Sequence, residues 1–248
     1  LLLNNKNLDS NKINFFISFI LRRFLRLFPN LFIVVILSYI LAFFLIPAGN
    51  FKDFAQSAAS SLFFLSNFLF YLETGYFDQS SYLKPLLHTW SLSIEFQFYI
   101  IFSLVAIFIF RLNEKLIFFT SMLTVIFSII FLFYLNTSKD LLFYLTQFRL
   151  WEILTGSVSY FLFNKVNEKY KYSIIPLLII VSIFIAAIFI LKFYNFFNLS
   201  LVLFVLLTFI FLIFSNNFHI VNFFSIPFLV YIGKISYGLY LFHYPIYV

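Results

Sequence analysis

The sequence predicts an all-α protein, a polytopic bundle of transmembrane helices. Of its 248 residues, 63% are hydrophobic and only 10% are charged. The mean hydropathy of +1.03 would leave a water-soluble domain with large exposed apolar patches. The apolar residues are also grouped in segments close to the roughly 20 residues that cross a bilayer as a helix. We therefore expect about seven to eight membrane spans.

Six apolar segments meet or approach that length, and a seventh begins near Ile235 and is still apolar at Val248. The six are 27–46, 90–110, 116–135, 144–163, 173–191 and 199–214. The stretch from Phe54 to Leu72 is ambiguous, because its first half is too polar for a clear span. With short linkers and no internal repeat, we expect residues 1–248 to form a single membrane domain, truncated at both ends.

Basic residues collect on the cytoplasmic side of short loops, so their distribution orients the chain. If Phe54 to Leu72 does not cross, 11 of the 16 Lys and Arg lie inside and 5 outside; if it crosses, the division is 9 to 7. We therefore expect residues 48–89 to be one external segment with an interfacial or re-entrant helix. This orientation places the arginines near residue 22 in the cytoplasm and Trp90 at the outer face. It leaves His219 solvated in a short inner loop.

Several classes of chemistry are excluded or lack their motif. The sequence contains no Cys, which excludes disulfides, thiolate metal sites and a Cys nucleophile. It also contains no phosphate-binding glycine loop, no His-Glu-x-x-His zinc motif and no Gly-x-Ser-x-Gly elbow. We expect neither a metal site nor a nucleic-acid partner.

The segment from Lys84 to Tyr99 holds the first group of candidate residues. His88, Ser91 and Glu95 fall at i, i+3 and i+7 on one helical face, and Trp90 suits the interfacial aromatic belt. Ionisable groups in a membrane are costly and usually face a cavity or a partner. Such a stripe can orient and deprotonate a hydroxyl. Alternatively, His88 lies among the headgroups and Glu95 is a packing residue; spacing alone leaves both interpretations open.

The second group is Arg22, Arg23 and Arg26, whose spacings of three and four residues let the guanidinium groups converge on one phosphate or pyrophosphate. A nucleotide-bearing donor such as coenzyme A suits this pattern. The simpler interpretation is a topology anchor or a site for anionic lipid headgroups.

Two further segments hold supporting candidates. Arg149 and Glu152 are spaced for a salt bridge, and Gly156 permits close helix approach. Near the C-terminus, Tyr237, Tyr240 and His243 stand in a run in which hydrogen-bonding side chains recur at helical spacing. We expect the stripe formed by Ser236, Tyr240, His243 and Tyr247 to face the bundle interior, where it either joins helices or serves catalysis.

Taken together, these segments resemble the acyltransferase family three of membrane O-acyltransferases. The resemblance rests on PLLHTWSLSIEFQFY (85–99), ISYGLYLFHYPI (235–246), FRLWEILTG (148–156) and RRFLRLFP (22–29), in the family's order. It implies a bundle of about ten helices that takes acetyl from cytoplasmic acetyl-CoA and delivers it to a carbohydrate across the membrane.

The resemblance also implies roles for individual residues. Arg23 and Arg26 match the family's donor-associated motif, and Trp90, Ser91 and Glu95 match its functional core. The family's first helix carries a His associated with catalysis, and that helix would precede Leu1, so we expect the fragment alone to be inactive. The implied partners are the lipid bilayer, acetyl-CoA, and a cell-surface polysaccharide or glycolipid such as lipopolysaccharide O-antigen, at the bacterial inner membrane. A sugar transporter or flippase, or a non-catalytic scaffold, remains an alternative.

Overall fold

Helices make up almost all of the chain that the computed structural model describes, which is residues 12–74, 84–109, 114–134, 139–194 and 197–248. Within those ranges there is no strand, and the all-α class is confirmed. The helices are α1 (Lys12–Leu45), α2 (Ala48–Leu62), α3 (Ser66–Glu73), α4 (Thr89–Ile109), α5 (Glu114–Tyr134), α6 (Lys139–Tyr144), α7 (Leu150–Tyr170), α8 (Ile175–Tyr194), α9 (Phe197–Ile213), α10 (Phe218–Phe224) and α11 (Pro227–Tyr247).

Among the described residues, α1 is the one helix that is long and apolar enough to cross a membrane on its own. Its segment Phe16–Leu45 has 30 residues, about 45 Å at the helical rise. A second span is possible if α9 and α10, which meet at 107°, count as one broken helix. The apolar parts of α4, α5, α7 and α8 are shorter. The larger number of spans expected from sequence therefore remains a prediction.

The chain divides into two compact units. Unit 1 comprises residues 1–112, 138–147 and 235–248, and unit 2 comprises residues 113–137 and 148–234. In unit 1, α1 packs on α2 and α4, and α3 packs on α4 and α6. In unit 2, α7 packs on α5 and α9, and α8 packs on α9. The candidate residues of α1, α4 and the end of α11 all belong to unit 1.

One face of α1 forms the centre of the unit 1 core. Leu27, Leu31, Val34, Val35 and Ala42 recur at helical spacing and are all buried. The intervening side chains, such as Ile33 and Ile36, are exposed apolar groups suited to lipid. The helix ends two residues before a proline, as steric restriction before proline favours.

The ambiguous stretch between Phe54 and Leu72 is helical but broken. Helix α2 ends and α3 begins around Phe64, whose φ of 56° is an unusual backbone angle for a residue with a side chain. Its polar residues are buried rather than solvated: Ser57, Ser61, Ser66 and Asn67 are each at most 4% exposed. The low apolarity of this stretch therefore reflects polar contacts with a neighbouring helix.

Three local expectations were wrong. Helix α11 begins at Pro227 rather than near Ile235, because proline suits the first turn of a helix, where its missing N–H costs nothing. His219 lies in α10 rather than in a loop, and its Nε2 is 3.3 Å from the Tyr172 carbonyl oxygen at an exposed position. A Cβ added at Gly156 would meet no described atom within 4 Å, so the structure shows no close helix approach there.

Candidate functional site

A cavity of 430 Å³ lies between α4 and the end of α11 in unit 1. Its volume falls in the range of small-molecule sites. Helix α4 contributes Ser91, Leu92 and Glu95, and α11 contributes Ser236, Tyr237 and Tyr240. The structure thus brings together five residues singled out from the sequence: Ser91, Glu95, Ser236, Tyr237 and Tyr240.

Helix α4 carries two polar stripes on opposite faces. Ser91, Glu95 and Tyr99 follow a four-residue spacing, and so do Thr89, Ser93 and Gln97. A shift of two residues turns a helix by about 200°. The first stripe therefore faces the cavity region while the second faces α2 and α3. From the sequence, Ser91 and Glu95 of the first stripe were predicted together with His88, and the second stripe was not predicted.

The second stripe is a buried hydrogen-bonded contact. The Thr89 hydroxyl lies 2.8 Å from Ser61 Oγ and donates to Ser66 Oγ at 3.0 Å. Ser66 Oγ lies 2.8 Å from Ser93 Oγ. These hydroxyls satisfy each other in an apolar setting, where an unpaired polar group would be costly. The stripe fixes the rotation of α4 and so directs Glu95 toward the cavity.

Gln97 extends this contact at the end of the stripe. Its Nε2 donates to the Phe64 carbonyl at 2.8 Å and to Asn67 Oδ1 at 2.9 Å. Its Oε1 accepts a hydrogen bond from the Thr146 hydroxyl. Gln97 therefore ties α4 to the break between α2 and α3 and to the segment after α6. Sequence reasoning treated it only as part of a motif.

Glu95 is half-buried, and its two carboxylate oxygens differ in their surroundings. Oε1 accepts a hydrogen bond from the Tyr99 hydroxyl. Oε2 has no hydrogen-bond partner in the part of the chain that the structure describes. One oxygen is thus held in place while the other remains available to a ligand in the cavity.

Arg23 lies against the ring of Tyr99, whose hydroxyl donates to Glu95, whereas the orientation predicted from the sequence places the arginines and Glu95 at opposite membrane faces. Its guanidinium carbon is 5.1 Å from the centroid of the Tyr99 ring and 5.4 Å from that of Phe19. The arginines lie inside the 34-residue α1, which starts well before the apolar segment. Ring contacts of α1 Phe19 with Tyr99 and of α1 Phe24 with Phe96 show that the two helices run antiparallel.

The other two arginines are exposed. Arg26 is within electrostatic range of Tyr99 and of Tyr237 in the cavity wall. Neither Arg23 nor Arg26 is among the residues that line the cavity; Arg23 packs on Tyr99, and Arg26 acts electrostatically on Tyr237 of the cavity wall. Of Arg22, the structure shows only that its side chain points away from the packed core.

His88 does not line the cavity, which corrects the stripe expected from sequence. It lies in the turn before α4, and its side chain is buried, with 6% exposed. Its ring contacts Tyr240, His243 and Tyr244 of α11 at centroid distances of 5.5 to 5.6 Å. Neither ring nitrogen has a hydrogen-bond partner of good geometry among the described residues.

Burial removes water from the His88 ring and, with the nearby charge of His243, lowers the pKa of His88 from 6.5 to about 4. The backbone carbonyls of Pro85 and Leu241 oppose this effect only in part. His88 is therefore neutral at physiological pH. Its neutral ring packs beneath α11. Because the ring lies outside the cavity lining, its position does not support a direct role at the cavity.

Tyrosines of α11 fasten this helix to α4 and α1. The Tyr240 hydroxyl donates to the His88 carbonyl oxygen at 2.6 Å, so its contact with Ser91 Oγ requires Ser91 to donate. The Tyr237 hydroxyl donates to the Leu27 carbonyl oxygen at 2.7 Å. These bonds hold two walls of the cavity together and leave the hydroxyl proton of Ser91 engaged.

The remaining part of the α11 stripe does not face inward. His243 is exposed, with Nδ1 2.6 Å from the Tyr240 carbonyl oxygen, and Tyr247 is 71% exposed. Trp90 also lies outside the cavity lining, where its ring packs on Phe143 at 4.3 Å and on Tyr144 at 5.8 Å.

The predicted pair on α7 is confirmed. Arg149 Nη1 donates to Glu152 Oε1 at 2.7 Å, across the first turn of the helix in unit 2. Next to it, Trp151 is 1% exposed and anchors α7 in its unit. The pair is a local structural feature of unit 2.

Comparison with known proteins identifies relatives of the chain. Residues 8–248 match the family model described as "Acyltransferase domain". An "Uncharacterized protein" of Haemophilus influenzae is 30% identical over 127 residues, 48% of this chain and 52% of that protein. The "Putative membrane-bound transacylase BcsY" of Komagataeibacter xylinus is 44% identical over 55 residues, 22% of this chain and 14% of that protein. The chain thus spans about half of the first relative and less of the second. No solved structure matches the chain.

Proposed function

Because the chain belongs to the acyltransferase family whose model covers residues 8–248, we propose that it transfers acetyl from cytoplasmic acetyl-CoA to a hydroxyl of an extracytoplasmic carbohydrate. In this proposal it is a multi-pass protein of the bacterial inner membrane. Many apolar side chains on its helices are exposed, such as Ile33 and Ile36, and these support a location in a lipid bilayer. Acceptors of this class include O-antigen and exopolysaccharide.

The observation that carries the proposal is the half-buried carboxylate of Glu95 in the cavity wall, with Oε1 held by Tyr99 and Oε2 available. A carboxylate in this state can accept a proton from an incoming hydroxyl as the acyl carbon is attacked. As the hydroxyl oxygen forms the new ester bond, the C–S bond of the thioester breaks, and the coenzyme A thiolate leaves with the proton that Glu95 accepted. Glu95 is therefore the residue to which we assign the chemistry.

Arg23 and Arg26 suit the donor. Guanidinium groups bind phosphate oxygens through charge-assisted hydrogen bonds. Arg23 lies against the Tyr99 ring, and Arg26 is near enough to Tyr237 of the cavity wall to act on it electrostatically. Coenzyme A joins its phosphates to the acyl thioester through a long flexible arm. With phosphates at the arginines, that arm can reach toward Glu95, where the acceptor hydroxyl would meet the thioester.

Ser91 is a supporting residue in this scheme. Its hydroxyl is engaged with Tyr240 in the contact between α4 and α11, and among the described residues it makes no hydrogen bond to Glu95 or to a histidine ring. A serine nucleophile needs a base that takes its proton. We propose direct transfer to the acceptor, with Ser91 and Tyr240 shaping the cavity.

The test uses the complete protein that contains this chain, reconstituted in liposomes with radiolabelled acetyl-CoA and a polysaccharide acceptor. Glu95→Gln keeps the size of the side chain but removes the base, and we expect transfer to fall about 100-fold or more. Tyr39→Phe is the control, because the Tyr39 ring packs on Phe51 away from the cavity.

Full transfer by the Glu95→Gln protein would contradict the proposed role of this residue. A protein that moves labelled sugar across the vesicle membrane without binding coenzyme A would instead be a transporter or flippase.

Arg23→Ala and Arg26→Ala should raise the KM for acetyl-CoA about 10-fold or more if they hold its phosphates.

A further inference from the structure

We propose that Tyr99 is a positioning residue for Glu95, and that Arg23 acts on the carboxylate through the Tyr99 phenol. This inference rests on the proposed function, since it assigns a role in the same site. Tyr99 was not among the candidates from sequence. Its relation to Glu95 is an i, i+4 pair on the cavity stripe of α4, which places the two side chains one above the other.

The geometry holds the Tyr99 ring on more than one side. The Arg23 guanidinium lies 5.1 Å from the ring centroid, and the Phe19 ring meets it edge-on at 6.0 Å and 85°. The Phe98 ring lies 6.3 Å away at 66°. A ring enclosed in this way has little rotational freedom, so its hydroxyl is directed at Glu95 Oε1.

Arg23 and Glu95 are linked through Tyr99 instead of forming a direct ion pair, and this difference affects how much of the carboxylate is available for catalysis. In the described residues there is no salt bridge between Arg23 and Glu95, although both lie against Tyr99. A guanidinium bound directly to a carboxylate commonly engages both oxygens. The phenol donates only one hydrogen bond, which leaves Oε2 available to the acceptor hydroxyl.

Arg23 contributes its charge without occupying the carboxylate. A cation close to an aromatic ring is attracted to the ring electrons and draws electron density from the phenol. The O–H of Tyr99 then becomes a stronger donor toward the negative oxygen of Glu95. Of the other groups near this dyad, Arg26 lies on α1, and Tyr237 and Tyr240 lie on α11.

The experiment is a double-mutant cycle with Tyr99→Phe and Glu95→Gln in the complete reconstituted protein. Tyr99→Phe keeps the ring and its contacts and removes only the hydroxyl. We expect kcat to fall about 10- to 100-fold, the effect of losing a hydrogen bond to a charged group, with KM for both substrates within about twofold. The matched control, Tyr39→Phe, removes the same atom from a tyrosine of α1 and should leave kcat unchanged.

If Tyr99 acts through Glu95, adding Tyr99→Phe to the Glu95→Gln protein should cause no further loss of kcat. Tyr99→4-aminophenylalanine, which restores an N–H donor at the same place, should recover most of the lost activity. The melting temperature of each variant shows whether the fold is retained.

Three results would overturn the inference. One is wild-type kcat in Tyr99→Phe while Glu95→Gln is inactive, which leaves the proposed function standing and removes Tyr99 from it. Another is a double variant in which the two losses multiply, because Tyr99 would then act independently of Glu95. The third is a failure of 4-aminophenylalanine to recover activity in a folded protein. Activity in Glu95→Gln itself would instead remove the proposed function.

Discussion

Acidification should destabilise unit 1 through His88, the buried histidine beneath α11. Its pKa is lowered to about 4 in the folded protein from the ordinary 6.5, chiefly because burial strips water from the ring. Between these two values the unfolded chain binds a proton that the folded chain excludes. Folding stability due to this residue is therefore intact above pH 6.5 and is lost as the pH falls toward 4.

The size of the effect follows from the two pKa values. Proton linkage gives a loss of about 2 kcal/mol between pH 7 and pH 5. For a chain of this length, that loss corresponds to a fall in melting temperature of about 4 to 8 °C. Most of the fall should occur between pH 6 and pH 5, where the unfolded-state histidine is already charged.

The measurement is the melting temperature of the detergent-solubilised complete protein at a series of pH values from 7 to 5. His88→Gln removes the titrating group and should flatten the pH dependence, whatever its effect on the melting temperature at pH 7. The matched control is His219→Gln, the same substitution in unit 2, which leaves the surroundings of His88 intact and should keep the wild-type slope.

A His88→Gln protein with the full wild-type slope would refute this reasoning. It would mean that the ring gains a partner or water in the folded protein, so that its protonation costs nothing. A slope that vanished in His219→Gln would place the sensitive group in unit 2 instead.

The remaining predictions concern stability. Gln97→Leu should lower the free energy of unfolding by about 2 kcal/mol or more, because it leaves several buried polar partners unpaired; chemical denaturation measures this, and an unchanged midpoint would exclude Gln97 as a structural residue. Glu152→Gln should destabilise unit 2 by weakening the bond to Arg149, seen as faster hydrogen exchange in α7. Tyr237→Phe should cost about 1 kcal/mol in melting experiments through loss of the Leu27 contact.

Of the two polar faces of α4, the sequence predicted the one that carries Ser91 and Glu95. Ser91 and Glu95 were recognised because a helix repeats every 3.6 residues, a local property that can be read from spacing. Thr89, Ser93 and Gln97 follow the same rule but were not recognised as a stripe. Their role depends on which helix covers that face, and this is decided by the break at Phe64 and the packing of α2 and α3.

The arginines show a second limit of prediction from the sequence. Their identity and spacing predicted an anion site, and the hydropathy pattern placed them at the cytoplasmic end of a span that begins at Leu27. In the structure α1 starts at Lys12, so the arginines lie within the helix. Arg23 then meets Tyr99 because α1 and α4 run antiparallel, a relation between segments about 75 residues apart in the chain.

Composition and local periodicity were sufficient for the helical class and the apolar surface, because these depend on residue type and on neighbours within two turns. The family was indicated by the resemblance of its sequence motifs. Only the tertiary structure decided that Glu95 has one held and one available oxygen, that His88 is packed under α11, and that the Arg23 guanidinium lies against the Tyr99 ring. Each of these depends on which faces of distant helices meet. A helix pattern defines those faces, while packing in three dimensions selects their partners.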